Sequence, residues 1–369
     1  MSVTTLEVHH RLDDVAEEWD QLADRVGSPP FGRPGWFAAW VAGFADGNAL
    51  ELFVLRREGA LAAVLPMLAG GGRLRTPTNS HTPAFTVVAA DDAAVADVLR
   101  RVLRLRRRAV TLGFVDPRTA EQVRVAARDA RCAVRETLLL QTPTVNLAGA
   151  SPLARLDPKA RRVLARRRRR LEERGPLRLE VHDGGDRLEE LTRTWFAMEA
   201  SSWKGRQGDA VLSRSETVRF YVDLSRWAAA RGHLLLVFLC LGGAPIAFQL
   251  ALVDPSAWYF LKTGYDEELR ALGPGKLLMA ELLERAAELG RVRVDLGGSA
   301  DPYKLEWTKE VRPYVELTAY PPTVTGRATH LVEVLGPRVA GAAQRGGRRL
   351  AIVVREGARA AARRNGRAA

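Results

Sequence analysis

The run Arg270-Ala271-Leu272-Gly273-Pro274-Gly275-Lys276 is the stretch of this 369-residue chain whose residue types and order point most directly to chemistry. Leu278, Leu282, Ala286 and Leu289 follow at helical spacing, so the glycine turn leads straight into a helix N-terminus. Such a terminus offers backbone N–H groups without intrahelical acceptors, and the helix macrodipole adds about half a positive charge. Phosphate oxygens suit that environment. Gly273 and Gly275 let a ligand approach the backbone with no Cβ in the way. Pro274 loses no needed donor at a helix start. Arg270 and Lys276 can add charge-assisted contacts. A bare Gly-Pro-Gly would equally suit a loop before a helix. Its position favours a site, because it follows an apolar β-meander and precedes a strand ending in Asp295-Leu296-Gly297-Gly298.

The elements that must hold this turn can be read from periodicity. In the first half the pattern predicts a strand at 3–9, helices at 12–26 and 34–45, and a hairpin of 51–56 with 60–68 around Glu58-Gly59. A strand near 84–89, a helix at 91–104, a strand at 109–115, a helix at 118–130 and strands at 132–147 follow. The second half repeats the order. An arginine-rich helix at 158–174 precedes a strand at 177–182 and helices at 186–203 and 215–231. Strands at 233–241, 244–253 and 256–263 lead to the helix 275–289, a strand at 291–296, a helical piece near 301–308 and a strand at 313–320. The meander strands are apolar on both faces, as a sheet covered by helices on both sides requires. Gly149, Ser151, Pro152 and Pro158 break the periodicity near 147–157. The expected organisation is therefore an α/β (α+β) protein with domains at 1–150 and 151–325 and a basic tail at 326–369, which reads as one or two amphipathic helices with Leu331, Val334, Leu335, Leu350, Val353 and Val354 on the apolar face. Each domain is a mixed, mostly antiparallel sheet flanked by helices.

Composition narrows the function classes. Hydrophobic residues make up 47% and charged residues 27%, enough apolar material for two cores without staples. The two cysteines, Cys132 and Cys240, sit in apolar strand-like runs and read as small buried hydrophobes. The six histidines show no zinc-ligand spacing, so no metal is expected. No segment approaches the ~18 apolar residues of a membrane span, and the N-terminus lacks signal-peptide character, which predicts a cytoplasmic protein. The net charge of +13 admits nucleic acid, an anionic membrane surface or an anionic substrate, but the basic residues are overwhelmingly arginine beside abundant alanine, which simple compositional bias also explains.

Several segments together resemble a known family. They are Ser202-Trp203-Lys204-Gly205, Gly243 to Phe248, Lys262-Thr263-Gly264-Tyr265-Asp266, the turn from Gly273 to Leu278, and Asp295 through Tyr303-Lys304-Leu305-Glu306-Trp307. Asn79-Ser80-His81-Thr82-Pro83 adds a motif from the first half. Jointly they resemble the GNAT N-acyltransferase superfamily, and within it the BioF-like or CelD-type acetyltransferase group related to Fem-type aminoacyltransferases. The resemblance implies tandem GNAT-like domains, the first degenerate. It implies that the strand at 256–263 splays from its neighbour to admit a pantetheine arm. It implies acetyl-CoA or another acyl-CoA as co-substrate, with its pyrophosphate on Arg270, Leu272, Gly273, Gly275 and Lys276, and Lys262 nearby. The acyl group would pass directly to an amine of a small molecule or amino sugar.

Within that expectation the residues take roles. Glu199, one turn before Trp203, is the candidate base, and a solvated helix carboxylate is its rival reading. Asp295 ends an apolar strand, where a carboxylate is unexpected. Tyr303 stands where GNAT enzymes often place a tyrosine that acts as the acid, and a tyrosine packing under the helix is its favoured rival reading. Lys304 matches a lysine of the family and could neutralise a phosphate or an oxyanion. Lys204 and Lys262 would form a basic entrance. His81, Trp203, Lys204 and Tyr265 are the substrate-side candidates. The arginine-dense helix 158–174 and the tail suggest an anionic partner, tRNA or an anionic membrane surface, so peripheral attachment to the inner membrane face is a second expectation. Two rival readings stand beside the acyl-CoA enzyme. One is an aminoacyl-tRNA-dependent transferase of the Fem kind. The other is a non-catalytic GNAT-like protein of polysaccharide biosynthesis.

Overall fold

A computed structural model of the chain describes residues 3–149 and 151–335. The first half runs β1 (Thr4–His9), α1 (Ala16–Arg25), α2 (Pro34–Phe44), β2 (Ala49–Arg57), β3 (Ala60–Gly70), β4 (Arg73–Arg75), β5 (Val88–Ala89), α3 (Asp92–Leu103), β6 (Ala109–Val115), α4 (Pro117–Asp129) and β7 (Ala133–Asn146). The second half runs α5 (Pro158–Glu172), β8 (Leu177–His182), α6 (Leu188–Ser201), α7 (Trp203–Gln207), α8 (Ser215–Ala230), β9 (Leu234–Leu241), β10 (Ala244–Val253), β11 (Ala257–Tyr265), α9 (Pro274–Glu288), β12 (Arg293–Asp295), α10 (Pro302–Leu305), β13 (Val311–Tyr320) and α11 (Val324–His330).

Local chemistry explains many of the boundaries. Glu58 and Gly59 both have positive φ, as do Gly242 and Gly243, the backbone that two-residue hairpin turns require. Asp91, Asp116 and Asp157 cap α3, α4 and α5 through their side chains, and Pro opens α4 and α5. Three expectations change. The helix expected at 186–203 breaks at Ser202, whose hydroxyl accepts from the Lys204 amide and starts the separate helix α7. The strand expected near 84–89 shrinks to Val88–Ala89, because the segment before it hydrogen-bonds along β6 instead. Of the expected tail helices, α11 and a π turn at Leu331–Leu335 are described. The readings for Leu350, Val353 and Val354 lie outside the described residues.

The thirteen strands form one mixed sheet in the order β1-β2-β3-β4-β6-β13-β7-β12-β11-β10-β9-β8, with β5 paired to β3 off that path. Most pairs are antiparallel, and β4–β6 and β11–β12 are parallel. Helices flank the sheet. The last strand does not close the second half: β13 inserts between β6 and β7 of the first. In turn β7 pairs with β12, Thr144–Asn146 against Arg293–Asp295. The sheet is therefore continuous across the middle of the chain.

One apolar cluster joins the sheet to α1, α2, α3 and α4 of the first half and to α6 and α8 of the second. A second lies under α9 and the apolar side of α5 (Leu164, Leu171). Between the halves, α2 packs on α8, with Trp36 edge-on to Phe220 (5.3 Å) and Phe31 edge-on to Tyr259 (4.9 Å). Aromatic pairs of this kind contribute ~0.5–1.5 kcal/mol each beyond their buried area. This contact brings the loop at 79–83 against the second half.

Candidate active site

The start of α9 has no side-chain cap. Gly273 is its N-cap, in the left-handed region (φ 60°, ψ 52°), and no acidic residue stands in the first turn. Pro274 has no amide, the Lys276 amide leans back on the Gly273 carbonyl (3.1 Å), and the Gly275 amide meets no acceptor among the described residues. Three cations surround this end. Arg270 is exposed. Lys276 Nζ reaches both oxygens of Glu306 (2.8 and 2.5 Å). The guanidinium of Arg167, on α5, crosses Gly273 so closely that a Cβ there would fall 2.7 Å from Nη1. Leu272 is buried beneath the turn, and the Tyr265 ring lies against Gly275. An uncapped positive helix end with three cations and no competing carboxylate in its first turn fits a diphosphate.

Beside the turn the sheet forks. β11 and β12 pair only over Ala257–Tyr259 and Arg293–Asp295. β11 continues to Tyr265 on β10 alone, with a bulge that leaves Leu261 without a register partner. The chain after β12 swings to β7, where the Leu296 amide donates to the Pro143 carbonyl (3.0 Å). Gly297 (φ 63°) sits at the crotch, where any Cβ would lie 2.1 Å from the Phe260 carbonyl oxygen. The splay implied by the family resemblance is thus present, with a residue at its apex that tolerates no side chain.

A cavity of about 420 Å³ opens onto this fork. Its walls come from the loop Ser80–Pro83, from Asp209, Arg214 and Tyr221, and from β11 and the Gly297-Gly298 turn. His81 is presented by an Asn79-anchored turn: Asn79 Oδ1 accepts the His81 amide (3.0 Å), and Thr82 Oγ1 accepts that of Asn79 (3.0 Å). The His81 ring stacks on Phe44 and meets Tyr221, with Nδ1 3.2 Å from the phenol oxygen. Nε2 makes no hydrogen bond among the described residues. Burial, then the neighbouring Lys262 charge, lowers the His81 pKa to about 4, so the ring is neutral at physiological pH. Burial holds the Tyr221 phenol well above its ordinary range.

Behind this wall lies a buried charge cluster. Glu199 is fully buried (0% exposed). Its Oε1 faces Lys204 Nζ (3.1 Å) and Lys262 Nζ (3.4 Å), and its Oε2 accepts the Val211 amide (2.9 Å). Lys204 Nζ also donates to the Thr263 carbonyl (2.9 Å). Lys262 lies over the Tyr221 ring at 5.4 Å, and desolvation lowers its pKa. Glu199 is therefore not a solvated carboxylate. Both its oxygens are committed to ordering β11 and the segment after α7.

The remaining sequence candidates fall around this site in different ways. Asp295 is buried below the fork. Its Oδ1 accepts the Gly297 amide (2.9 Å), Tyr314 Oη lies 3.5 Å from Oδ2, and burial raises its pKa. Lys304 Nζ donates to the carbonyls of Gly297 (2.7 Å) and Ser299 (3.1 Å) and pairs with Asp301 (3.1 Å). Desolvation lowers its pKa. Asp295 and Lys304 thus shape the 297–301 turn from opposite sides. Tyr303 lies at the surface with its ring beside Lys304. Trp203 is 46% exposed, and its amide donates to Glu267 (2.8 Å). Lys262 belongs to the cavity rather than to the turn at Gly273, where the resemblance had put it. Tyr221, Arg214 and Asp209 were missed: the tyrosine reads as one aromatic of an amphipathic helix, and the other two as ordinary loop charges. Arg167 was one of many arginines, with nothing local to mark it. Among the described residues no cluster of three His, Cys, Asp or Glu side chains could hold a metal ion.

With this geometry in view, the comparisons are informative. Residues 158–305 match the family model described as an acetyltransferase (GNAT) domain. That stretch contains the turn, the fork and Glu199, and the fold is GNAT-like. Among solved structures, FemX superposes with TM-score 0.60 at 12% identity, over 89% of this chain and 99% of that one. L-PGS from Bacillus licheniformis gives 0.54 at 13%, over 86% and 95%. The C-terminal domain of a putative lysylphosphatidylglycerol synthetase from Agrobacterium fabrum gives 0.54 at 12%, over 87% and 97%. At such identities these likenesses establish the fold. No curated protein matches the sequence. No described helix is long and apolar enough to cross a membrane.

Proposed function

We propose that the protein is an acyl-CoA-dependent N-acyltransferase acting on the amino group of a small acceptor. The observation that carries this reading is the uncapped, cation-flanked start of α9 at the mouth of an open strand fork. The Gly275 amide, Arg167, Arg270 and Lys276 would hold the donor's diphosphate, and the fork would take its pantetheine arm. The donor supplies a thioester carbonyl at the fork. The acceptor nitrogen, seated in the adjoining cavity, forms a bond to the carbonyl carbon. The C–S bond breaks, the thiolate leaves and takes up a proton, and the nitrogen loses one. Neutral His81, with Nε2 free, is the group best situated to receive that proton, directly or through water. Holding both partners in one cleft can supply ~7–11 kcal/mol of the barrier reduction. Glu199, Asp295 and Lys304 act as positioning residues for β11 and the 297–301 turn. Residues 1–150 would serve as a degenerate GNAT-like domain that supplies the acceptor-side loop.

Isothermal titration with CoA and acetyl-CoA tests the donor assignment. Binding of one equivalent per chain is expected, and no heat with either ligand would refute it. One observation favours a second reading, an aminoacyl-tRNA donor. On α5, Arg161, Arg162, Arg166 and Arg170, together with Arg174 just past its end, are exposed and have no partner among the described residues. Charged tRNA that binds with a steep salt dependence, while CoA does not bind, would select that reading.

A further inference from the structure

The acceptor cavity carries a charge pattern that the donor assignment leaves unexplained. Arg214, at the start of α8, lines it, and its guanidinium has no hydrogen bond or ion pair among the described residues. Lys262, which also lines it from β11, shares the Glu199 carboxylate with Lys204. One carboxylate serving two ammonium groups leaves positive charge uncompensated at the wall. The remaining charge on the lining is Asp209, whose carboxylate makes no hydrogen bond among the described residues but acts electrostatically on Lys262. His81 adds none, being neutral. The cavity therefore has an excess of positive charge, Arg214, Lys262 and Lys204 against the carboxylates of Glu199 and Asp209, with the neutral His81 imidazole beside Arg214 and Lys262 to receive an amine. A neutral sugar or a polyamine would leave Arg214 and the excess charge at Lys262 unanswered.

We infer that the acceptor is a small amine that also bears an acid group, a carboxylate or a phosphate, bound between Arg214 and Lys262 while its amino group faces His81 and Asp209. The inference rests on the N-acyltransferase reading and narrows its substrate. A volume of about 420 Å³ suits a molecule of amino-acid size. Arg214 contributes the geometry of a fork to an oxyanion, and Lys262 a point charge. Charge-assisted hydrogen bonds of this type are worth about a 10- to 100-fold preference.

The test uses the full chain with acetyl-CoA and matched acceptor pairs: amino acids against their decarboxylated amines, and phosphoethanolamine against ethanolamine, with products read by mass spectrometry. Acid-bearing members should exceed their partners about 100-fold in kcat/KM. The carboxylate and phosphate arms identify which oxyanion is used. Arg214→Gln should raise KM for the acid-bearing member at least ~10-fold, with kcat and the Kd for CoA little changed. Arg214→Lys should restore part of the loss. Bare amines used as well as acids, or an Arg214→Gln variant with unaltered KM, would overturn the inference. So would a protein that binds CoA and acetylates no acid-bearing amine, and in that case the donor assignment survives. If CoA itself fails to bind, the donor reading falls and takes this inference with it.

Discussion

Two helices follow the two meanders, α3 in the first half and α9 in the second, and their N-termini have opposite chemistry. α3 is capped by Asp91, whose carboxylate accepts the Ala94 amide (2.7 Å), and Asp92 follows in the first turn. α9 begins at a left-handed glycine with neither cap nor acid. The neighbouring forks differ in the same sense. Past the parallel pair β4–β6, the chain itself fills the gap: the Thr76 amide bonds the Thr111 carbonyl, the Phe85 amide bonds that of Phe114, and Phe85 bridges to Val115. Past β11–β12 nothing comparable among the described residues occupies the opening. A helix end that neutralises its own dipole beside a plugged sheet is structural, whereas one left open beside a gap can take a ligand. The covering helices differ too. α2 buries Trp36, Phe37 and Trp40 in the apolar core, Trp36 against Phe220 of α8, while α6 buries Glu199 beneath two lysines.

The largest test of that contrast is Glu199→Ala. It removes a buried carboxylate facing two ammonium groups and should cost about 3 kcal/mol in urea unfolding. Adding Lys262→Met should restore part of this. A cost below ~1 kcal/mol would mean that the cluster does not order the site. Next comes Gly275→Asp, which gives α9 a first-turn acid like that of α3. Repulsion should raise the Kd for CoA about 100-fold in calorimetry, about 2.7 kcal/mol. The neighbouring Tyr265 ring can adjust to a Cβ that would otherwise fall 3.2 Å from Cδ1. Unchanged affinity would break the comparison.

Smaller effects sharpen it. Asp91→Ala should cost about 1 kcal/mol of stability by uncapping α3. It should leave CoA stoichiometry at one per chain, because the first fork stays filled. A second CoA equivalent would show that capping alone closes that half. The least effect concerns His81, whose folded pKa of about 4 lies below its ordinary value of 6.5. In that window the unfolded chain takes up a proton and the folded one does not, so stability falls as pH drops below 6.5. Between pH 7.5 and 6 the loss should be roughly 0.8 kcal/mol, and His81→Phe should flatten the slope. The same slope in the variant would mean that the ring is not held neutral by burial.

Much of this contrast was legible in the residues. Gly273-Pro274-Gly275 announces a helix start with open amides, because capping depends on side chains within a turn of the terminus, whereas the Asp91 cap of α3 went unread in the helix at 91–104. The meander strands and their Gly242-Gly243 turn were legible for the same local reason. The site's other wall was not. Tyr221 looks like core, Arg214 is one arginine among many, and Glu199 gives no sign that two lysines will meet it.

By itself, then, the sequence determined the order of elements, the hairpin turns and the polarity of each helix end, all set by torsional preference and hydrogen bonding over a few residues. Tertiary structure alone decided that His81 meets Tyr221 across 140 positions, that β13 slots between β6 and β7, and that the fork at Gly297 stays open. Those outcomes depend on which apolar faces find each other and on what fills the space between them, and no short window of residues encodes either.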